Sequence, residues 1–399
     1  MLASLRGLRL AHLIESDGPG GAERMVASLV AELQAAGATN VVVLPAHGEG
    51  WLARELRGTG ALIEPFRLDR PLSASFARWL TQTFRRHQVA LAHSHEFTMA
   101  VYGAWAARRA HVPHLFTMHG GRYYAERLRR RIAMRLATEL SGAIVAVSTS
   151  LQRHLSRDLW MRSSRITTIP NGARATSGAR DVLRAELNLA STDHLAVAVG
   201  NLYAVKGHLH LVEALGLLAA RCPNLHVALA GRGELEERLR TRAGELGVSH
   251  RLHVLGLRSD VGNVLAAADV FVLPSLSEGV PLALLEAMLA ERPIVATTAG
   301  DVPAVLDTGR AGLLVPPGDA AALAHALYAL FADPGQARRL GAAGGQRART
   351  EYSLQRMIDR YVQLYAELLA PRLPSTRPDP LLESSQVPVG KPAVGRQRT

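Results

Sequence analysis

Lys206 is one of only two lysines among 46 basic side chains, and it falls in the glycine-bounded segment Gly200-Asn201-Leu202-Tyr203-Ala204-Val205-Lys206-Gly207. Gly200 closes a short apolar strand and Lys206-Gly207 opens a helix. Backbone amides at that helix start can accept phosphate oxygens, while a flexible ammonium reaches a diphosphate. The same donors stabilise charge that builds on a departing phosphorylated group. Further along, Ser277-Glu278-Gly279-Val280-Pro281 runs into Leu282-Ala283-Leu284-Leu285-Glu286. Pro281 suits a first helical position, which sets Glu286 little more than one turn inside an apolar stretch. A carboxylate there is costly to bury without donors, and vicinal hydroxyls supply them. A cation and two carboxylates on strand-to-helix turns suit a phosphorylated sugar; the competing reading turns Glu286 to solvent or to an arginine.

Other turns offer weaker chemistry. Ala230-Gly231-Arg232-Gly233-Glu234 ends another strand, and Arg232 there reinforces phosphate binding or pairs with Glu234. Gly300 and Asp301 lie on the same expected edge, with Gly300 amides able to line a sugar pocket. Near the start, Gly20-Gly21-Ala22-Glu23-Arg24 lets a phosphate or acceptor approach a helix start, but it lacks the GxGxxG spacing of a nicotinamide or flavin site. His119, with Gly120 beside it, places an imidazole on flexible backbone, where a neutral ring can bond a sugar hydroxyl. His93 and His95 alternate with Ser94, and Glu96 follows. They complete no convincing coordination sphere, so no metal is expected.

These turns need a scaffold of alternating strands and helices. Expected strands are 8–14, 41–45, 62–65, 89–94, 114–119 and 143–148, with helices at 22–36, 51–58, 75–87 and 126–138. After the turn-rich stretch Pro170 to Gly178 the pattern restarts, with strands 196–199, 226–230, 253–255, 270–274 and 294–297 and helices 208–221, 234–246, 281–291 and 320–331. The spacing predicts an α/β protein of two Rossmann-like, doubly wound domains, 1–172 and 173–350, whose strand ends face a central cleft. A helix near 354–369 carries one apolar stripe, Met357, Ile358, Tyr361, Val362 and Tyr365, and either packs on the second domain or crosses back to the first. The proline-rich, aperiodic segment 371–399 is expected to be disordered.

The chain has 399 residues and a formal charge of +12, an excess that favours anionic partners. A single cysteine, Cys222, excludes an internal disulfide framework and a thiolate metal cluster. The first hydrophobic run meets Glu15 and Asp17, and no long apolar segment follows, so neither a signal peptide nor a membrane span is expected. The expected location is cytoplasmic, with peripheral attachment to the inner face of the cell membrane available through one feature. That feature is Arg127 to Leu136, where a dense basic face joins an apolar stripe just after Tyr123-Tyr124 and suits an anionic lipid surface. A second contact helix carries Phe76, Trp79, Leu80 and Phe84 with Arg85-Arg86. No nucleic-acid-reading motif is present, and no nucleic-acid partner is expected.

From Gly20 to about Tyr365 the residues resemble the retaining, nucleotide-sugar-dependent glycosyltransferases of family 4, with GT-B architecture. Ser277 to Glu286 matches that family's paired-glutamate signature, supported by Gly200 to Gly207, Pro170-Asn171-Gly172 and Gly312-Leu313-Leu314-Val315. The resemblance implies that Lys206 holds a diphosphate, Glu286 a ribose, Glu278 the donor sugar, and that Gly20-Gly21 lies beneath the phosphates. It also implies that Asn201, Gly279, Val280, Pro281 and Leu282 line the donor site, and that His119, Gly120 and Tyr123 meet the acceptor, with His119 near the donor sugar. Asn201 stands where many relatives carry arginine, leaving Arg232 or another arginine to substitute. The implied reaction moves a hexose or N-acetylhexosamine from a UDP- or GDP-linked donor to a glycan or polyprenyl-linked saccharide, without an essential metal. A nucleotide-sugar 2-epimerase of the same fold and a non-catalytic sugar-nucleotide- or glycan-binding assembly protein are the alternatives.

Overall fold

The computed structural model describes residues 5–46, 50–68, 70–120 and 123–370, so the expectation for 371–399 lies outside the described residues. Strands β1 (Arg9–Leu13), β2 (Thr39–Pro45), β3 (Leu62–Phe66), β4 (Leu91–His95), β5 (His114–Met118), β6 (Ala143–Ala146) and β7 (Ile166–Thr168) form one sheet. Its order is β3-β2-β1-β4-β5-β6-β7. A second sheet holds β8 (His194–Val199), β9 (Leu225–Ala230), β10 (Leu252–Gly256), β11 (Val270–Leu273), β12 (Ile294–Thr297) and β13 (Leu313–Val315). Its order is β10-β9-β8-β11-β12-β13. The β1–β4 and β8–β11 pairings, where each order reverses, are parallel. Helices cover both faces, so central strands such as Val41–Val43 and Val270–Val272 are buried apolar runs.

The helix Leu354–Leu369 packs across the first sheet, where Met357, Ile358, Tyr361, Val362 and Tyr365 join Leu10, Leu29, Leu91 and Leu115 in one core. Its start is fixed by Ser353, which accepts a hydrogen bond from the Arg356 amide. Further contacts tie the halves together: Asn171 Nδ2 donates to the Val280 carbonyl at 2.9 Å, and Arg174 pairs with Glu32.

Several elements have no counterpart in the sequence reading. The helix Glu96–Ala110 buries Met99, Ala100, Tyr102, Gly103, Ala104, Ala106 and Ala107, a wide face made mostly of alanine and glycine, while apolar residues also fall outside it and blur the period. The helix Pro334–Glu351 is rich in glycine, a poor helix former. Asp333 caps it by accepting from the Gln336 amide at 2.8 Å, and Gly341 lies against the Glu291 carbonyl where a side chain would not fit. β7 and the helices Thr149–Asp158, Arg180–Glu186 and Val261–Ala267 are also additions, each short. Pro281 precedes the helix Leu282–Leu289 in extended conformation, one position earlier than its expected place. Among the described residues no helix is long and apolar enough to cross a membrane.

Candidate active site

In an open parallel sheet, ligands bind outside the carboxyl ends of the strands where the strand order reverses. Here those points are β1/β4 and β8/β11, and they face one another across a cleft of about 300 Å³. Gly20, Gly21, Arg24 and His119 line it from the first half. Asn201, Lys206, Glu278 and the run Gly279 to Leu282 line it from the second, with Glu286 beyond them.

The second-half wall is charged and braced. Lys206 Nζ donates to Glu278 Oε1 at 2.7 Å, and Ser275 Oγ donates to the same oxygen at 2.7 Å. The Lys206 side chain is 29% exposed and that of Glu278 8%, so the cation is the more open partner. Gly207 has φ +66°, and a Cβ there would sit 2.0 Å from the Pro274 carbonyl, which brings the Lys206 turn against the end of β11. Gly300, at φ +56°, supports the other side of the site, since its Cβ would lie 1.8 Å from the Glu278 carbonyl. Asp301 beside it turns away to the first half and accepts from the Ser150 amide at 3.1 Å. Glu286 faces the cleft from the helix Leu282–Leu289; burial pushes its carboxyl pKa up, while the Arg24 guanidinium draws it down.

Apart from the Arg24 guanidinium, the first-half wall rests on neutral histidines. Burial lowers the His119 imidazole to a pKa of about 4. Its Nε2 lies 3.1 Å from His95 Nδ1, and its backbone amide donates to Glu96 Oε1 at 3.0 Å. Burial raises the Glu96 carboxyl to about 8, with the His119 amide opposing and Glu15 and Glu23 adding to the rise. Behind this wall, His12, His93 and His95 bring ligand-type nitrogens within 4.8 Å of one another. Both nitrogens of His93 are already engaged, Nδ1 with the Tyr365 hydroxyl at 2.6 Å and Nε2 with Thr117 Oγ1 at 2.8 Å.

Among the residues singled out in the sequence, Gly300, Asp301, Arg232, Gly120 and Tyr123 lie off the cleft lining. Arg232 and Gly120 are exposed, and Tyr123 is half exposed beneath the Arg130 guanidinium. Among the described residues the arginines that line the cleft are Arg24 and Arg258, neither of which the sequence assigned to the site. Arg24 sits one position past the Gly20-Gly21-Ala22-Glu23 turn and stacks 5.2 Å from the Trp51 ring centroid. Arg258 is pinned by Asp260 at 2.8 Å and Glu186 at 2.8 Å, and both carboxylates push its pKa up. Adjacency to the glycine turn was the one sequence signal for Arg24, and nothing local distinguished Arg258 among so many arginines.

The Glycosyltransferase Family 4 model matches residues 19–176, and the model for Glycosyl transferases group 1 matches residues 193–333. An alpha-maltose-1-phosphate synthase of Mycobacterium tuberculosis is 30% identical over 70% of this chain and 79% of its own length. The chain belongs to glycosyltransferase family 4. A lipopolysaccharide core biosynthesis glycosyltransferase, LpsE of Rhizobium meliloti, is 28% identical over 87% of this chain and 96% of its own. The Anabaena protein HepE, solved in complex with UDP, shares the fold with a TM-score of 0.79 at 22% identity, covering 90% of this chain and 100% of that one. The architecture is therefore GT-B, and the protein is a glycosyltransferase that moves a sugar from a nucleoside-diphosphate donor to an acceptor. In this glycosyltransferase the matched segments supply the two walls of the cleft, 19–176 the one with Arg24 and His119 and 193–333 the one with Lys206, Glu278 and Glu286.

Proposed function

We propose that the enzyme transfers a hexose or N-acetylhexosamine with retention of anomeric configuration. The observation that carries this reading is the Lys206–Glu278 pair, placed in one cleft with Glu286, Gly20-Gly21 and His119. Lys206 exchanges Glu278 for the donor diphosphate, and Glu278, still held by Ser275, takes the sugar hydroxyls. Glu286 takes the ribose hydroxyls, and Asn201 with Gly279 to Leu282 closes round the donor. His119, held neutral, bonds the donor sugar at the acceptor side. The bond from the anomeric carbon to the phosphate oxygen breaks, and the acceptor oxygen bonds the same carbon on the same face. The acceptor proton passes to the departing phosphate oxygen, so no protein base is needed, and catalysis proceeds without an essential metal.

Residues 1–172 form the acceptor half and 173–350 the donor half on this reading. A polyprenyl-linked saccharide or other glycan is the acceptor, in cell-surface polysaccharide synthesis on the cytoplasmic side of the membrane. The similarity to LpsE, a lipopolysaccharide core biosynthesis glycosyltransferase, supports the polysaccharide part of that setting. The membrane part is supported by the helix Leu128–Leu140, which leaves Leu128, Ile132, Leu136 and Leu140 exposed in one stripe beside its arginines, a surface suited to anionic lipid. Thermal-shift titration with UDP, GDP and their hexoses tests the donor site, since selective stabilisation by one base is expected. Donor turnover with and without a lipid-linked saccharide, repeated in chelator, tests the reaction. Interconversion of the donor without acceptor would replace transfer by 2-epimerisation, and an inverted product would remove retention.

A further inference from the structure

The two residues that end β4 and start the next helix, His95 and Glu96, both reach His119, one at the side chain and one at the backbone. His95 Nδ1 lies 3.1 Å from His119 Nε2, the two rings stacked with centroids 5.3 Å apart. Glu96 Oε1 accepts the His119 amide at 3.0 Å. Each residue carries a cost. Glu96 has φ +65°, a left-handed conformation uncommon outside glycine. His95 is fully buried, and its Nε2 has no hydrogen-bond partner. Strained backbone and underused buried polar atoms gather where function rather than stability fixes the residue.

A second layer locks the first. The His93 ring centroid lies 4.1 Å from that of His95, and the His93 nitrogens are held by the Tyr365 hydroxyl and by Thr117. Thr117 Oγ1 in turn lies 3.1 Å from the Tyr361 hydroxyl. Both tyrosines belong to the helix Leu354–Leu369, more than 240 positions along the chain from the histidines they fix.

We propose that His95 and Glu96 are positioning residues for His119, orienting its imidazole in the cleft, and that Tyr365 of the C-terminal helix holds His95 in place through His93. The inference rests on the reading of His119 as a donor-sugar contact. A geometric error of about 1 Å at a reacting centre can cost about 100-fold in rate, which gives a second layer of this kind a purpose.

The test uses the full chain and whichever of UDP-glucose or GDP-mannose stabilises it, followed by initial rates and by nitrogen-15 NMR of the imidazoles. His95→Leu is expected to lower kcat by about 10- to 100-fold, leave the donor KM within about twofold, and shift the His119 ring resonances. Its melting temperature falls only modestly, because removing the unmatched His95 nitrogen offsets part of the cost of leaving the buried His119 Nε2 without its partner. His95→Asn, which restores a polar atom near the Nδ1 position, recovers most of the rate; Tyr365→Phe shows a smaller loss in kcat with the same sign. Wild-type kcat and unchanged His119 resonances in His95→Leu, with His119→Ala slow, overturn the positioning role. Wild-type turnover in His119→Ala instead overturns the reading of His119 itself, whatever the NMR of His95→Leu shows.

Discussion

The two sheets share one strand order at their switch points yet present opposite walls to the cleft. The second-half wall is a charged surface, with Lys206 on Glu278, Glu286 nearby and Arg258 pinned by two carboxylates. The first-half wall backs onto neutral histidines, His12 and His119 with pKa values of about 4 and His93 and His95 well below normal, all through burial. A common fold therefore fixes where a ligand binds and leaves its electrostatics to the side chains at four strand ends. On the proposed reading, Lys206 and its neighbours meet the diphosphate and the neutral histidines of the first wall meet the sugar, where a protonated imidazole would oppose an oxocarbenium-like transition state.

Acid should break this contrast first. Each of His12, His93, His95 and His119 is neutral when folded and protonated when unfolded below about pH 6.5, so the unfolded chain binds more protons there. Stability is then lost as pH falls from about 6.5 toward 4, by about 1.4 kcal/mol per pH unit for each histidine that stays neutral. Glu96, raised to about 8, works the other way: its contribution is present below about 4.5 and fades as pH rises to 8. Denaturant unfolding between about pH 7 and pH 5 checks the sum, and a flat profile would mean that the first-wall histidines are not held neutral.

Lys206→Ala addresses the charged wall and should lower kcat at saturating donor by at least about 100-fold, the size expected for losing a contact to developing charge. Near-normal turnover would move the phosphate site elsewhere. Gly300→Ala sharpens the same wall structurally, because a Cβ 1.8 Å from the Glu278 carbonyl at φ +56° must displace that loop. A loss of about 2 kcal/mol, read as a melting temperature lower by several degrees, is expected. Gly21→Ala is the control, with no heavy atom within 4 Å of its Cβ, and should move stability by less than about 0.5 kcal/mol. A smaller effect on the reaction than that of Lys206→Ala belongs to Glu286→Gln, which should raise the donor KM about 10-fold with kcat held. A donor with 2′-deoxyribose should then lose less affinity in the variant than in the wild type.

Legibility followed locality. Strands such as β2 and β11 and helices such as Leu354–Leu369 were readable because burial on one or both faces writes itself into neighbouring residues. Lys206 and Glu278 were readable as candidates because each stands at a strand-to-helix turn with glycine beside it, and Glu286 because it is a carboxylate inside an apolar helix. The helix Glu96–Ala110 was not, since its buried face is wide and made mostly of alanine and glycine while apolar residues also fall outside it, and Arg24 and Arg258 were not, since an arginine's place in a cleft depends on what lies opposite. Arg232 shows the converse: a glycine-flanked cation looks like a ligand in sequence and lies exposed outside the cleft in space.

By itself the sequence determined two parallel α/β sheets and the turns at their edges, because strand and helix periods and turn residues act over a few positions of chain. Only the tertiary structure decided that Lys206 rests on Glu278, that Arg24 faces Glu286, and that Tyr361 and Tyr365 reach back to Thr117 and His93. Those contacts join residues far apart in the chain, and their energies depend on distance and burial, which no local pattern of residues encodes.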